Sequence, residues 1–258
     1  MVQEKQTGEN LNLKDSNFLK TTMNSKESVS IVFPVYNERA AIEKTIESYY
    51  NEFRGKIKFE IIVKEDGSTD GTKEILQRLS KKYPIRLFMS NARKGYQWSV
   101  IEGIKQAKYK WIFLVDSDFQ YRPYDFWNMQ PFMKDYDIIL GKRKKRMDPF
   151  HRILMSKGFN FLIRQMFGVN YKDIEPGYRL FKRKVALGFL GKLNTLSYFT
   201  SELVLRAHFA GYKIVEVPVD HFRRKEGTTN VFHPYKIPKI IFKEMAGLWK
   251  LRRELGNK

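Results

Sequence analysis

The chain has 258 residues, 42% of them hydrophobic and 15% aromatic, enough to bury a core in one α/β domain or at most two small ones and too apolar for a disordered protein. Its 16 Gly and 9 Pro exclude collagen-like and low-complexity sequence, and the absence of Cys excludes disulfide scaffolds, thiol catalysis and thiolate-bound zinc. Lys and Arg outnumber Asp and Glu 48 to 28, a net charge of +20 that favours an anionic partner.

Residues 1–27 are polar, balanced in charge and without periodicity, and read as a flexible tail. Ser28–Val35 is a β-branched run that leads into the turn Tyr36-Asn37-Glu38. Helical spacing of apolar residues follows over 40–53, and a buried strand over 58–63. The turn EDGSTDGT at 65–72 opens a helix over 73–82, with a strand over 85–89 behind it. A helix over 96–107 and a strand over 110–115 complete four β-then-α units, and Asp116-Ser117-Asp118 ends the last. That alternation predicts an α/β fold, a Rossmann-like, mostly parallel central sheet with helices on both faces, whose ligands bind beyond the carboxyl ends of the strands.

Further strands are expected over 137–141, 178–181 and 213–219, and helices over 150–167 and 201–210. A basic amphipathic helix over 234–255 carries the apolar stripe Ile237, Ile241, Met245, Leu248, Leu251 and Leu255. Two readings of it stand side by side: the stripe lies on an anionic membrane face, or it docks on the sheet with its lysines in water. The expected division is thus a tail at 1–27, a catalytic domain at 28–230 and a C-terminal helix at 231–258. Residues 141–164 and 223–258 supply +14 of the net charge. No uncharged apolar run approaches the roughly 18 to 20 residues that cross a bilayer, and the N-terminus lacks the layout of a signal peptide.

The strongest chemical signal is DSDFQ at 116–120. In an extended chain Asp116, Asp118 and Gln120 project the same way, three oxygen ligands suited to Mg²⁺ or Mn²⁺ with room for phosphate oxygens. A solvated turn with capping Asp is the alternative for such a motif alone. Glu65, Asp66, Ser68 and Asp70 form a second acidic turn on the same edge, able to bind a nucleobase or ribose or to act as an Asx turn and helix cap.

Taken together, FPVYNE at 33–38, EDGSTDGT at 65–72 and DSDFQ at 116–120 resemble glycosyltransferase family 2, inverting enzymes of the GT-A fold that use nucleotide-sugar donors. Asn91, Lys94-Gly95, Gly103, Asp173, Gly177-Tyr178-Arg179, Glu202, Glu216-Val217-Pro218-Val219, Arg224 and Gly227 also match its pattern, so the resemblance covers roughly 28–230. Within the family the likeness is to the polyprenyl-phosphate sugar synthases, the group of dolichol-phosphate mannose synthase, in which a strand-end basic residue and an R-x-x-x-S-x-G-x-N helix contact the lipid phosphate. Here these are Lys142-Arg143 and Arg152, Ser156, Gly158 and Asn160. The chain departs from the pattern at Glu65, where Asp is usual, at Asp116-Ser117-Asp118 for Asp-Ala-Asp, and at Thr228-Thr229-Asn230, where a Ser-Lys pair is common.

The resemblance implies transfer of a sugar from a UDP- or GDP-sugar to a polyprenyl (dolichyl) phosphate, with Mg²⁺ or Mn²⁺ held by Asp116, Asp118 and Gln120. Asp118, Arg224 and Glu202 are the expected catalytic residues. Pro34, Tyr36, Glu38, Glu65, Asp66, Lys94, Asp116 and Ser117 would bind the donor nucleotide; Arg143, Arg152, Ser156, Asp173 and Arg179 would bind the acceptor. Guanidinium forks suit phosphate. A hydroxyl acceptor on a glycan or glycolipid is the alternative, with Glu202 or Asp173 as general base. A nucleic-acid binder would explain the charge but not the acidic turns, which repel a phosphate backbone, so no nucleic-acid partner is expected. The expected place is the cytoplasm, peripheral to the cytoplasmic face of a membrane and associated with its anionic lipids or a membrane-protein partner.

Overall fold

A computed structural model describes residues 27–224 and 237–256; the tail expected over 1–27, apart from Glu27, and the late residues Gly227 and Thr228 to Asn230 lie outside these. The strands are β1 (Ser28–Val35), β2 (Lys58–Glu65), β3 (Ile85–Met89), β4 (Trp111–Val115), β5 (Ile138–Arg143), β6 (Tyr178–Lys182) and β7 (Ile214–Val219). They form one sheet in the order β3-β2-β1-β4-β6-β5-β7. The helices are α1 (Ile42–Phe53), α2 (Thr72–Lys82), α3 (Tyr96–Gln106), α4 (Phe126–Met129), α5 (Phe150–Phe167), α6 (Arg183–Phe189), α7 (Phe199–Phe209) and α8 (Ile237–Gly256).

Side chains alternate along a strand, so a sheet covered on both faces has two cores. Ile31, Phe33 and Val35 of β1 join Tyr49 and Phe53 of α1 in one core, while Val32 joins Val100 and Ile104 of α3 in the other. Aromatic edges fill the first: Phe33 meets Tyr49 at 5.1 Å and Phe53 meets Phe126 at 4.7 Å between ring centroids.

β1 to β4 run parallel, as the β-then-α alternation predicts. β6 does not: it pairs antiparallel with both β4 and β5. After α5 the chain re-enters the sheet at the edge where β4 ends, with Val115 opposite Tyr178. The start of β6 therefore sits on the ligand-binding edge, where parallel strands have their ends.

The stripe of α8 packs inward. Leu248, Leu251 and Leu255 are buried in the same core as Ile112 and Leu114 of β4. The docking reading of the helix accounts for these residues. No helix among the described residues is long and apolar enough to cross a membrane.

Candidate active site

Three βα turns make one edge because their polar side chains stitch them together. Asn37 N–H donates to Ser68 Oγ at 2.9 Å, Thr69 N–H to Asn37 Oδ1 at 2.9 Å, and Glu38 N–H to Thr72 Oγ1 at 2.9 Å. Asp66 accepts from the main-chain N–H groups of Lys94 and Gly95, each at 2.8 Å. Ser117 Oγ donates to the Pro34 carbonyl at 2.9 Å. Gly67 fits only because it lacks a side chain: its φ is +74° and a Cβ would run into the Ala92 main chain.

A cleft of ≈ 240 Å³ opens on this edge, lined by Pro34, Tyr36, Glu38, Asp66, Asp116, Ser117, Asp118, Gln120, Arg143, Arg152 and Arg224. These eleven are all among the residues singled out in the sequence. Its wall also includes Asn37, inside the FPVYNE motif, and Arg93, Tyr96, Tyr121, Asp148 and His221, which the motifs do not mark.

One half of the cleft is acidic. Burial, reinforced by the neighbouring Asp116 charge, pushes the Asp118 carboxyl up to about 6. Burial likewise raises Glu38 to about 7, although Arg224 pulls the other way. Arg224 spans the two, 2.6 Å from Glu38 Oε2 and 3.9 Å from Asp118 Oδ2. Asp116 Oδ1 accepts from Tyr96 Oη at 2.9 Å, and the buried Arg179 donates to that same hydroxyl.

The extended geometry expected for 116–120 is not found. Phe119 adopts φ +60°, a left-handed conformation that a bulky side chain rarely takes, and this breaks the alternation. Gln120 turns its amide to the Phe222 carbonyl at 2.9 Å. Its carboxamide nitrogen is thus committed across the cleft's rim, while its main-chain N–H donates to Asp118 Oδ1 at 3.1 Å.

The other half is basic and internally braced. Asp173 receives two hydrogen bonds from the Arg143 guanidinium, at 2.6 and 2.5 Å. Asp148 lies 3.0 Å from Arg146, 3.3 Å from Arg152 and 3.9 Å from Arg143. His221 Nδ1 accepts from Met147 N–H at 3.2 Å, and burial, followed by the Arg143 charge, holds its imidazole down at about 4. This half is thus three guanidiniums held around two carboxylates beside a neutral histidine.

Six of the predicted residues stand back from the cleft. Glu65 is buried and accepts from Ser68 N–H. Lys94 contributes its main-chain N–H to Asp66 and lays its ammonium over the Trp98 ring, 4.2 Å from the centroid. Ser156 is engaged by Arg146 and by Asn160. Asp173 braces Arg143, and Arg179 lies buried behind Tyr96 and Asp116. Glu202 is fully buried in α7, accepting from Thr195 and Leu196 N–H at 2.9 Å each and from Arg206 at 2.7 Å. The sequence signal that could have flagged Asp148 is its spacing: Arg146 lies two residues before it, and Arg152 four after it, one helical turn on.

Hard carboxylate oxygens with phosphate and water completing the shell are the setting in which Mg²⁺ or Mn²⁺ binds. Asp116 and Asp118 fit it: burial, and then the neighbouring Asp116 charge, lift Asp118, so a cation there would be welcome. Among the described residues no cluster of three His, Asp or Glu could hold a metal alone, so phosphate or water oxygens would complete the shell.

The family model of glycosyl transferase family 2 matches residues 30–188. A dolichol-phosphate mannosyltransferase of Pyrococcus furiosus is 29% identical over 238 residues, 89% of this chain and 65% of that protein. The chain thus spans slightly less than two thirds of that relative's length. A dolichyl-phosphate beta-glucosyltransferase of Dictyostelium discoideum is 25% identical over 251 residues, 87% of this chain and 77% of that protein. Among solved structures, the mannosyltransferase PcManGT of Pyrobaculum calidifontis, in complex with GDP-Man and Mn²⁺, superposes with a TM-score of 0.62 at 18% identity, over 91% of this chain and 69% of that one. The likeness is one of fold, and the fold is GT-A.

Proposed function

The chain belongs to glycosyl transferase family 2, and from that premise we propose that it moves a hexose from a nucleotide sugar, UDP- or GDP-linked, to a polyprenyl phosphate, with inversion at the anomeric carbon. The observation that carries this reading is the two-sided cleft, with carboxylates for a metal-bound diphosphate on one side and braced guanidiniums for a second phosphate on the other. The relatives' activities toward dolichol phosphate point the same way.

In this reading Asp116 and Asp118 hold Mg²⁺ or Mn²⁺, which when bound neutralises the charge that develops on the leaving diphosphate. Tyr96 fixes Asp116 through its hydroxyl. Tyr36, with Arg93 stacked 4.1 Å over its ring, and Asp66 line the wall that would receive the nucleoside. Arg143 and Arg152 place the acceptor phosphate, and Arg224, paired with Glu38 and 3.9 Å from Asp118, serves the donor diphosphate. The anomeric C–O bond to the diphosphate breaks as an acceptor phosphate oxygen forms the new one from the opposite face. That oxygen is already anionic, so orientation and charge suffice and no general base is required.

The alternative hydroxyl acceptor needs a base within hydrogen-bond reach. Neither Glu202 nor Asp173 lines the cleft, and each is spent on an arginine; this favours the phosphate. The test is transfer of label from UDP- and GDP-sugars to short polyprenyl phosphates with Mg²⁺ or Mn²⁺, followed by extraction of the lipid phase. Label that depends on metal and on Asp118 is expected; metal-dependent nucleotide release with no lipid label would overturn the acceptor.

A further inference from the structure

Asp116 and Asp118, the carboxylates assigned to the metal, are held in different ways. Asp118 is fixed by its own turn, where Gln120 N–H donates to its Oδ1 at 3.1 Å. Asp116 is fixed from outside. Its main-chain N–H donates to the Gly177 carbonyl at 2.9 Å, its Oδ2 lies where a Cβ on Gly177 would stand, and its Oδ1 accepts from Tyr96 Oη at 2.9 Å. Behind Tyr96 stands Arg179, 2% exposed, whose guanidinium donates to the Pro176 carbonyl and to the Tyr96 hydroxyl.

Protons along this chain run one way only. A guanidinium only donates, an ionised carboxylate only accepts, and a phenol has one proton to give and lone pairs to accept with. Arg179 therefore donates to Tyr96 Oη, and the hydroxyl proton points at Asp116. A hydroxyl that accepts from a cation is polarised into a stronger donor. Burial works against the Arg179 charge, and Tyr96, Asp116 and Glu175 outweigh it, holding the guanidinium above the ordinary arginine value. A buried cation thus reaches Asp116 by way of a neutral phenol. The carboxylate is oriented without being covered by a direct ion pair, as Asp173 is covered by Arg143.

The nucleotide wall sets Tyr96 in place. Tyr96 is the first residue of α3, and Gly95 before it has φ +104°, a backbone that glycine adopts freely. The N–H groups of Lys94 and Gly95 both donate to Asp66, at 2.8 Å each. Asp66, Tyr96 and Asp116 all line the cleft, so the wall that would receive the nucleoside and the carboxylate that would hold the ion share one support.

We propose that Tyr96 and Arg179 are positioning residues for the metal site: Arg179, acting through the Tyr96 hydroxyl, sets the orientation of Asp116 and with it the affinity for a metal-bound nucleoside diphosphate. This rests on the reading above that Asp116 holds the ion. It gives Arg179 a task other than the acceptor contact that its motif implies.

Calorimetric titration of the full chain with Mn²⁺–UDP and Mn²⁺–GDP, and with each nucleotide free of metal, separates this support from sugar transfer, because no acceptor is present. Tyr96→Phe keeps the ring and removes only the hydroxyl. It should weaken the tighter-binding metal–nucleotide complex about tenfold, as loss of an outer partner to a metal-binding carboxylate does, and leave the metal-free nucleotide within about twofold. On an Asp116→Asn background it should change neither. Should Tyr96→Phe fail to fold, Arg179→Met, which keeps bulk and removes the buried charge, decides by the same pattern. Wild-type affinity in these variants, while Asp116→Asn binds weakly, would overturn the support and leave the metal at Asp116. Equal weakening with and without metal would mean that Tyr96 merely props the wall, and a full tenfold loss on the Asp116→Asn background would mean that it acts elsewhere; either overturns the proposal. Undiminished Mn²⁺–nucleotide binding by Asp116→Asn would take the ion away from Asp116 and sink both. Failure of lipid transfer with these metal effects intact would reject the acceptor and leave the support standing.

Discussion

The two halves of the cleft are built on opposite principles. The acidic half comes from the ends of β1, β2 and β4, adjacent parallel strands, and burial, with neighbouring carboxylates adding to it, raises Asp118 and Glu38. The basic half comes from β5, α5 and the loops before and after them, and each guanidinium arrives with a carboxylate already attached. A half that stores repulsion gains from a cation. A half that is pre-neutralised holds its geometry in the free protein and gives up little to bind one more anion.

The largest expected break in this contrast is at Asp118. Asp118→Asn should lower transfer by about 10² to 10³, read as labelled product, while the melting temperature holds or rises because a crowded charge is gone. A large drop in stability would contradict the account of repulsion. Next is Asp173→Ala, which leaves buried Arg143 without its main partner and should cost about 3 kcal/mol in urea unfolding. Equal stability of mutant and wild type would mean that the brace is idle.

Glu202→Gln sharpens the contrast by testing a residue that belongs to neither half. It should destabilise by about 2 kcal/mol with kcat within about threefold of wild type, because its contacts are to Arg206 and the 195–196 main chain. A loss of kcat larger than about a hundredfold in folded protein would restore it as a base. The smallest effect is a pH slope. His221 sits at about 4 when folded against an ordinary 6.5, so the unfolded chain takes up a proton first as pH falls. Stability contributed by the neutral ring is full above 6.5 and is lost between 6.5 and 4, with a slope of at most about 1.4 kcal/mol per pH unit. His221→Asn, which keeps an acceptor for Met147 N–H, should flatten that slope in urea titrations at several pH values; an unchanged slope would reject the assignment.

How far the sequence reveals these features follows the same division. The acidic half is legible because each part is a short motif at the end of a predicted strand, and strand ends share one edge. Gln120 misleads because periodicity assumes an extended backbone, and Phe119 at φ +60° is a local exception that no pattern announces. Glu202 misleads for another reason: residues 199–207 of α7 are buried on every side, so the helix has no wet face to mark its polar residues as exposed or internal. Asp148 leaves only the faint trace of its spacing to Arg146 and Arg152, and His221 leaves none, because its partner Met147 lies 74 residues away and only folding brings the two together. The antiparallel β6 escapes as well, since a run of five residues carries no direction.

That reversed strand has a mechanical consequence. Asp116 N–H donates to the Gly177 carbonyl at 2.9 Å, and Gly177 has no room for a Cβ beside the Asp116 carboxylate. The ten residues before β6 also carry Asp173, which grips Arg143, and Glu175, which takes a hydrogen bond from Ser201 N–H. One short span of chain is therefore clamped at one end to the Asp116 main chain in the acidic half and at the other to a guanidinium of the basic half. It works as a spacer bar: the distance between the acidic and basic halves is set by main-chain geometry, and a residue inserted between 173 and 177 would change the gauge of the whole cleft.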